Sequence, residues 1–223
     1  MRAKRASCLL AAVAVISFTV GCATSGGGDT AQLKQQLCTE ADLGGGYIEK
    51  TTGAITVQNL ADLSDNTSAR KRQLDDAGVE GGRFGYWEHT VPNPPFNPPV
   101  EVICQALQFH SPAEAAAFVR NLKPTDDDLA STAMTWLPDA HRTVAEIPLS
   151  QAGVFAATPA AASPRAFKIT ASGSSLNFTI YATVEQDGAF VRTIYAGKNA
   201  GGPAITLNDA GKIAATITQR LAK

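Results

Sequence analysis

The sequence predicts an α+β fold: a single domain with a mainly antiparallel sheet and helices packed on one face. Three stretches carry that expectation. Residues 100–122 read as a strand feeding a well-punctuated helix, and residues 176–196 read as a tight hairpin. The chain then closes on an amphipathic helix with Ile213, Ile217 and Leu221 along one side.

Taken in order, the domain opens at residue 30 with a short helix whose Leu33 and Leu37 stand four apart on one face. A further helical turn over Thr39 to Leu43 ends at Gly44-Gly45-Gly46. Residues 47–80 are polar and weakly patterned, with a strand near Ala54 to Val57 and a helical turn around residues 68–75. Phe84 to Val91 is rich in aromatic and β-branched residues and reads as a strand. The prolines of residues 92–99 exclude sheet pairing and predict an extended loop. Val100 to Phe109 resumes as a strand, and its near-continuous apolar character predicts a central position.

The next helix is marked by Ser111 as N-cap, Pro112 at its first position and Glu114 three residues after the cap. Ala115, Phe118, Val119 and Leu122 form its apolar face, and Pro124 stops it. Thr125 followed by Asp126, Asp127 and Asp128 predicts another helix start. Short strands are expected around residues 144–149 and 167–171, separated by an Ala/Pro/Ser loop at 156–164. In the hairpin, Leu176, Phe178, Ile180, Ala182 and Val184 alternate with Asn177, Thr179, Tyr181, Thr183 and Glu185, and Asp187-Gly188 makes the turn. Thr206 or Asn208 caps the last helix. Both halves read as strand, connection, strand and helix, which we take as two ordinary ββα units rather than a repeat.

The residues before this domain have another character. Arg2, Lys4 and Arg5 precede an apolar run from Leu9 to Phe18, which is too short to span a bilayer and ends at Val20-Gly21-Cys22. This resembles the leader and lipobox of bacterial lipoproteins. The resemblance implies cleavage of residues 1–21, lipid on Cys22 and anchoring to a cell or outer membrane, facing outside the cytoplasm. An ordinary secretory leader cut nearby is the alternative. Residues 22–29 are small, polar and glycine-rich, suited to a flexible tether.

Beyond the leader the chain holds 16 basic and 20 acidic residues, a net charge of about minus four, with no basic concentration suited to nucleic acid. Cys38 and Cys104 remain once Cys8 leaves with the leader and Cys22 is acylated. An even pair in an oxidising compartment reads as one disulfide; two buried free thiols are the alternative.

The segment Cys104-Gln105-Ala106-Leu107-Gln108-Phe109-His110-Ser111-Pro112-Ala113-Glu114-Ala115-Ala116-Ala117-Phe118, with the hairpin and last helix over residues 176–222, is similar to the extracellular sensor domains of PknH-like mycobacterial kinases and related lipoproteins. That resemblance implies an α+β sandwich used for extracytoplasmic binding or sensing, without catalysis.

Signals for chemistry are sparse. The three histidines, His89, His110 and His141, lie apart in sequence, and neither His-x-x-x-His nor Cys-x-x-Cys occurs. We therefore expect no metal, cofactor or catalytic residue. Ser68-Ala69-Arg70-Lys71 and Ser64-Asp65-Asn66 match fragments of penicillin-recognising enzymes, but in reversed order within one polar stretch, so chance explains them. Three successive aspartates at 126–128 lack the alternating acids and glycine of a calcium loop. Tyr86, Trp87 and Phe96 are the remaining candidates, either lining a cleft for a ligand or peptide or packing beneath helices and pinning the proline-rich loop. The expected function is a non-enzymatic, lipid-anchored binding or accessory domain. An envelope hydrolase with histidine and acid converging in a cleft, or a passive structural lipoprotein, are the other possibilities.

Overall fold

Alternation along Val100–Phe109 decides the architecture. Val102, Cys104 and Ala106 are buried on one side of this strand, and Ile103, Leu107 and Phe109 are buried on the other. A strand that is apolar on both sides belongs inside a sheet covered on both faces. The computed structural model, which describes residues 30–90, 100–123, 141–149, 162–172, 177–199 and 207–223, has that arrangement.

In chain order the elements are α1 (Thr30–Gln35), α2 (Glu40–Leu43), β1 (Tyr47–Ile55), α3 (Val57–Ala61), α4 (Thr67–Asp76), β2 (Val79–His89), β3 (Val100–Phe109) and α5 (Pro112–Asn121). They continue with β4 (His141–Ile147), β5 (Ala162–Ser172), β6 (Asn177–Asp187), β7 (Phe190–Asn199) and α6 (Leu207–Leu221). The seven strands form one sheet in the order β1-β2-β3-β7-β6-β5-β4, with antiparallel pairing throughout. The α+β class, the antiparallel sheet and the central place of β3 agree with the sequence.

The placement of the helices does not. They divide between the two faces. On the first face Leu60, Ala61, Leu74, Ala115 and Val119 of α3, α4 and α5 share a core with Ile103, Leu107, Phe109, Ile180, Ala182 and Val184. On the second, Leu33 of α1, followed by Leu37, and Ile213, Ala214 and Ile217 of α6 pack with Trp87, Val102, Cys104, Ala106 and Ile194. The physical reason lies in β6. Its alternate polar residues suggested a solvated side, yet Thr183 and Glu185 are buried. Glu185 is accommodated by its cross-strand partner Arg192, whose Nη2 donates to Glu185 Oε2 at 2.7 Å and to Thr218 Oγ1 of α6 at 2.6 Å. Glu185 and Arg192 paired in this way can line a covered face, although Thr183 Oγ1, Glu185 Oε1 and Arg192 Nε have no hydrogen-bond partner among the described residues.

Local chemistry sets the remaining boundaries. Ser111 Oγ accepts from the Glu114 backbone N–H at 3.3 Å and donates to the Glu114 carboxylate at 2.8 Å, capping α5 as its sequence predicts. Thr56 and Asn66 cap α3 and α4. These helices resolve residues that looked poorly patterned, and the strand expected at 54–57 runs instead from Tyr47 to Ile55. The hairpin turn is Gly188-Ala189, one residue later than read, with Gly188 at φ 59°, a conformation that glycine adopts without a Cβ penalty. The Ala189 carbonyl accepts from Phe109 N at 2.9 Å, tying this turn to the end of β3. Residues 162–164, expected in a loop, begin β5. The leader, Cys22 and its tether, the proline-rich residues 92–99 with Phe96, the acidic helix start at 125–128, Leu176 and Thr206 lie outside the described residues.

Cys38 and Cys104 form a disulfide, with Cα atoms 5.7 Å apart. It joins the segment after α1 to the middle of β3 on the second face. The C-terminal end of α6 grips the same segment: Arg220 donates to the carbonyls of Gln35 and Leu37 at 2.8 and 2.7 Å and pairs with Asp42 at 3.1 Å. Burial opposes ionisation of Asp42, but hydrogen bonds from Arg220 and Thr39 outweigh it and hold the carboxyl below its ordinary value.

Candidate functional site

Strand alternation sends Tyr86 and Trp87 to opposite faces. The sheet therefore separates the two side chains. Trp87 is 7% exposed and packs in the core of the second face with Leu33, Leu37 and Val102. Tyr86 turns to the first face, where it borders the core containing Ile103, its cross-strand partner. Phe96 lies outside the described residues.

What gathers around Tyr86 is a set of carboxylates. Two residues further along β2, on the same face, stands Glu88, and the β2–β3 register places Glu101 directly opposite it. The Tyr86 hydroxyl donates to Glu88 Oε1 at 2.7 Å, and it also hydrogen-bonds the Glu101 carboxyl. From β1, Lys50 reaches Glu88 Oε2 at 2.9 Å. It can do so because the β1–β2 register shifts between Glu49 and Thr51, which makes Lys50 the extra residue of a bulge. Glu101 Oε2 is buried with no hydrogen-bond partner among the described residues.

This environment shifts proton affinities. Burial pushes the Glu101 carboxyl up to about 7; the Tyr86 hydrogen bond works against that rise and the Glu88 charge adds to it. The Tyr86 phenol is raised well beyond its ordinary range, first by burial and then by the two glutamates, so it remains a neutral donor. Glu101 is thus a carboxyl that changes charge near neutral pH within a half-buried cluster. Neither Glu88 nor Glu101 was among the residues singled out from sequence. The Tyr-x-Glu alternation of β2 signals one same-face pair, but the partner across the strand depends on the β2–β3 register, which the sequence does not state.

The histidines do not converge. His89 packs edge-on against Tyr47 with ring centroids 4.8 Å apart, at one end of β2. His110 follows the opposite end of the β2–β3 ladder, with Nε2 3.8 Å from Glu80 Oε1. His141 starts β4, five strands from β2 and so about 24 Å away across the sheet. Among the described residues no group of three or more His, Cys, Asp or Glu is arranged to hold a metal ion. No helix among them is long and apolar enough to cross a membrane.

A second polar cluster is internal. Arg192 and Glu185, each with a side chain 1% exposed, pair beneath α6. Gln36 Oε1 accepts from Arg192 Nη1 at 3.0 Å, and Gln36 Nε2 donates to Asp187 Oδ2 at 2.9 Å. This network joins the segment after α1, the hairpin and α6. Its members face one another, and it serves the fold.

No protein-family model and no curated protein matches the chain. Among solved structures, the chain is similar to the extracellular domain of PknH from Mycobacterium tuberculosis, at 13% sequence identity and a TM-score of 0.47. The match covers 87% of this chain and 91% of that one.

Proposed function

We propose that this protein is a lipid-anchored, extracytoplasmic binding or sensor-like accessory domain without enzymatic activity. The observation that carries the reading is the sequence from an apolar leader to Cys22, continued by a short tether into a domain closed by the Cys38–Cys104 disulfide. Disulfides persist in oxidising compartments, and a short tether after an acylated cysteine holds a folded domain close to a membrane. Two or more acyl chains give stable anchoring, since each buried methylene contributes about 0.8 kcal/mol.

The dispersal of the histidines favours binding over hydrolysis, because acid–base and nucleophilic catalysis need their groups within hydrogen-bond reach. The ionisable groups that do meet, Tyr86, Glu88 and Glu101, are engaged with one another and with Lys50. Envelope protein or small ligand remain the two classes of partner this reading admits.

The test is metabolic labelling with an alkyne fatty acid in a bacterial host, comparing the wild type with Cys22→Ala. Labelled wild type in the membrane fraction, exposed to protease only once the cytoplasmic membrane's outer side is reached, supports the proposal. An unlabelled protein that keeps residues 1–21 in the cytosol removes it. Native mass spectrometry of the labelled protein then reads any co-purifying molecule.

A further inference from the structure

The cluster at the ends of β1, β2 and β3 has an unequal proton inventory. Tyr86 carries one hydroxyl proton and accepts through the same oxygen. With that proton given to Glu88 at 2.7 Å, the phenol oxygen can only accept from Glu101; an ionised Glu101 must compete with Glu88 for the proton, and the bond it then wins is the one that works against the rise in its proton affinity. A protonated Glu101 supplies the missing donor, and the chain Glu101, Tyr86, Glu88, Lys50 is complete and neutral overall. An ionised Glu101 leaves two carboxylates competing for one phenol proton across a single cross-strand pair, with a net negative charge in a half-buried place.

We propose that Glu88, Tyr86 and Glu101 form a proton-operated latch that holds this end of β1, β2 and β3 together in mild acid and slackens it as the solution passes neutrality. The proposal does not depend on where the protein resides. Lys50 neutralises Glu88 and so directs the shared proton to Glu101. Neighbouring elements supply few competing charges. From β7, the residue opposite Glu101 is Gly197, and Tyr195 lies two positions along the same face. Of the helices on this face, α3 and α4 pack on β2 and α5 on β3; α3 has no charged residue, α4 carries the buried Arg70, whose Nη1 donates to Gln73 of its own helix, and α5 carries Arg120 and Glu114, the latter held by Ser111 just beyond the far end of β3. Glu49 of β1 is paired with Trp87, on the side of the sheet opposite to the cluster.

Hydrogen exchange of the full oxidised protein, read by mass spectrometry at pH 5.5 and pH 8 and corrected for intrinsic exchange, tests the latch. Wild-type amides of residues 84–89 and 100–104 should open about tenfold or more often at the higher pH, the change expected for each unit of pKa displacement. In Glu101→Gln, whose amide cannot ionise, that difference should vanish, with protection retained at both pH values. A variant that keeps the wild-type difference overturns the proposal, as does a wild type showing none. Should Glu101→Gln fail to fold, the ¹³C titration of the Glu101 carboxyl in the wild type decides. A midpoint near neutrality that moves down in Glu88→Gln supports the latch, and an ordinary glutamate midpoint ends it.

Discussion

At the scale of single residues, burial and pairing determine what each charge does to stability. Glu101 binds its proton more tightly in the folded chain than in the unfolded one, with its value raised from 4.5 to about 7. The stability it contributes is therefore full below about 4.5 and is lost as pH rises towards and through 7, by at most about 3 kcal/mol. Glu101→Gln should be more stable than the wild type at pH 8 and should flatten this slope, measured by urea unfolding at several pH values. The buried Glu185–Arg192 pair makes the opposite demand. Glu185→Leu strands a guanidinium beneath α6 and should cost about 3–5 kcal/mol, whereas adding Arg192→Met should restore most of the loss. A double variant no better than the single one would contradict that account. Strand alternation puts Tyr86 and Glu88 on one face, yet that pair was not singled out from sequence, and Glu185 facing Arg192 under a helix was not readable, because polar alternation ordinarily marks solvent.

At the scale of elements, legibility tracked how local the determining contacts are. The strand-to-helix passage from β3 to α5 was readable because Ser111, Pro112 and Glu114 act within one turn, and the β6–β7 hairpin because a two-residue loop fixes its register. Ser111→Ala should remove the cap of α5 and cost about 1 kcal/mol in thermal or chemical unfolding, with the remaining fold unchanged. The side of the sheet on which each helix lands was not readable. An amphipathic stripe states that a helix buries one face; it does not say against which face of the sheet. Residues 57–66 were equally obscure, whereas the helical turn expected around 68–75 falls within α4; both α3 and α4 are polar on most sides and held mainly by Leu60, Ala61 and Leu74. Their caps, Thr56 and Asn66, were the available signals.

At the scale of the whole molecule, the disulfide, the α6 clamp and the titrating carboxyls act on one stability curve. Asp42 works against Glu101: its lowered value contributes stability present above 3.8 and lost as pH falls through the folded value. The cystine adds a term that pH does not change over this range. It spans a sequence separation of 66, enclosing α2, β1, α3, α4 and β2, and on the chain-entropy model removes unfolded-state freedom worth about 4 kcal/mol. The paired substitution Cys38→Ser with Cys104→Ser should therefore lower the unfolding free energy by roughly that amount. It should also raise the urea m-value, because an uncrosslinked denatured chain expands and exposes more surface. The fold itself should persist, since Leu33, Leu37 and the Arg220 contacts still dock the N-terminal segment on the second face. A loss confined to the N-terminal segment, seen as exchange of residues 30–43 with the sheet still protected, would place the cystine's action on local docking instead of on the unfolded ensemble.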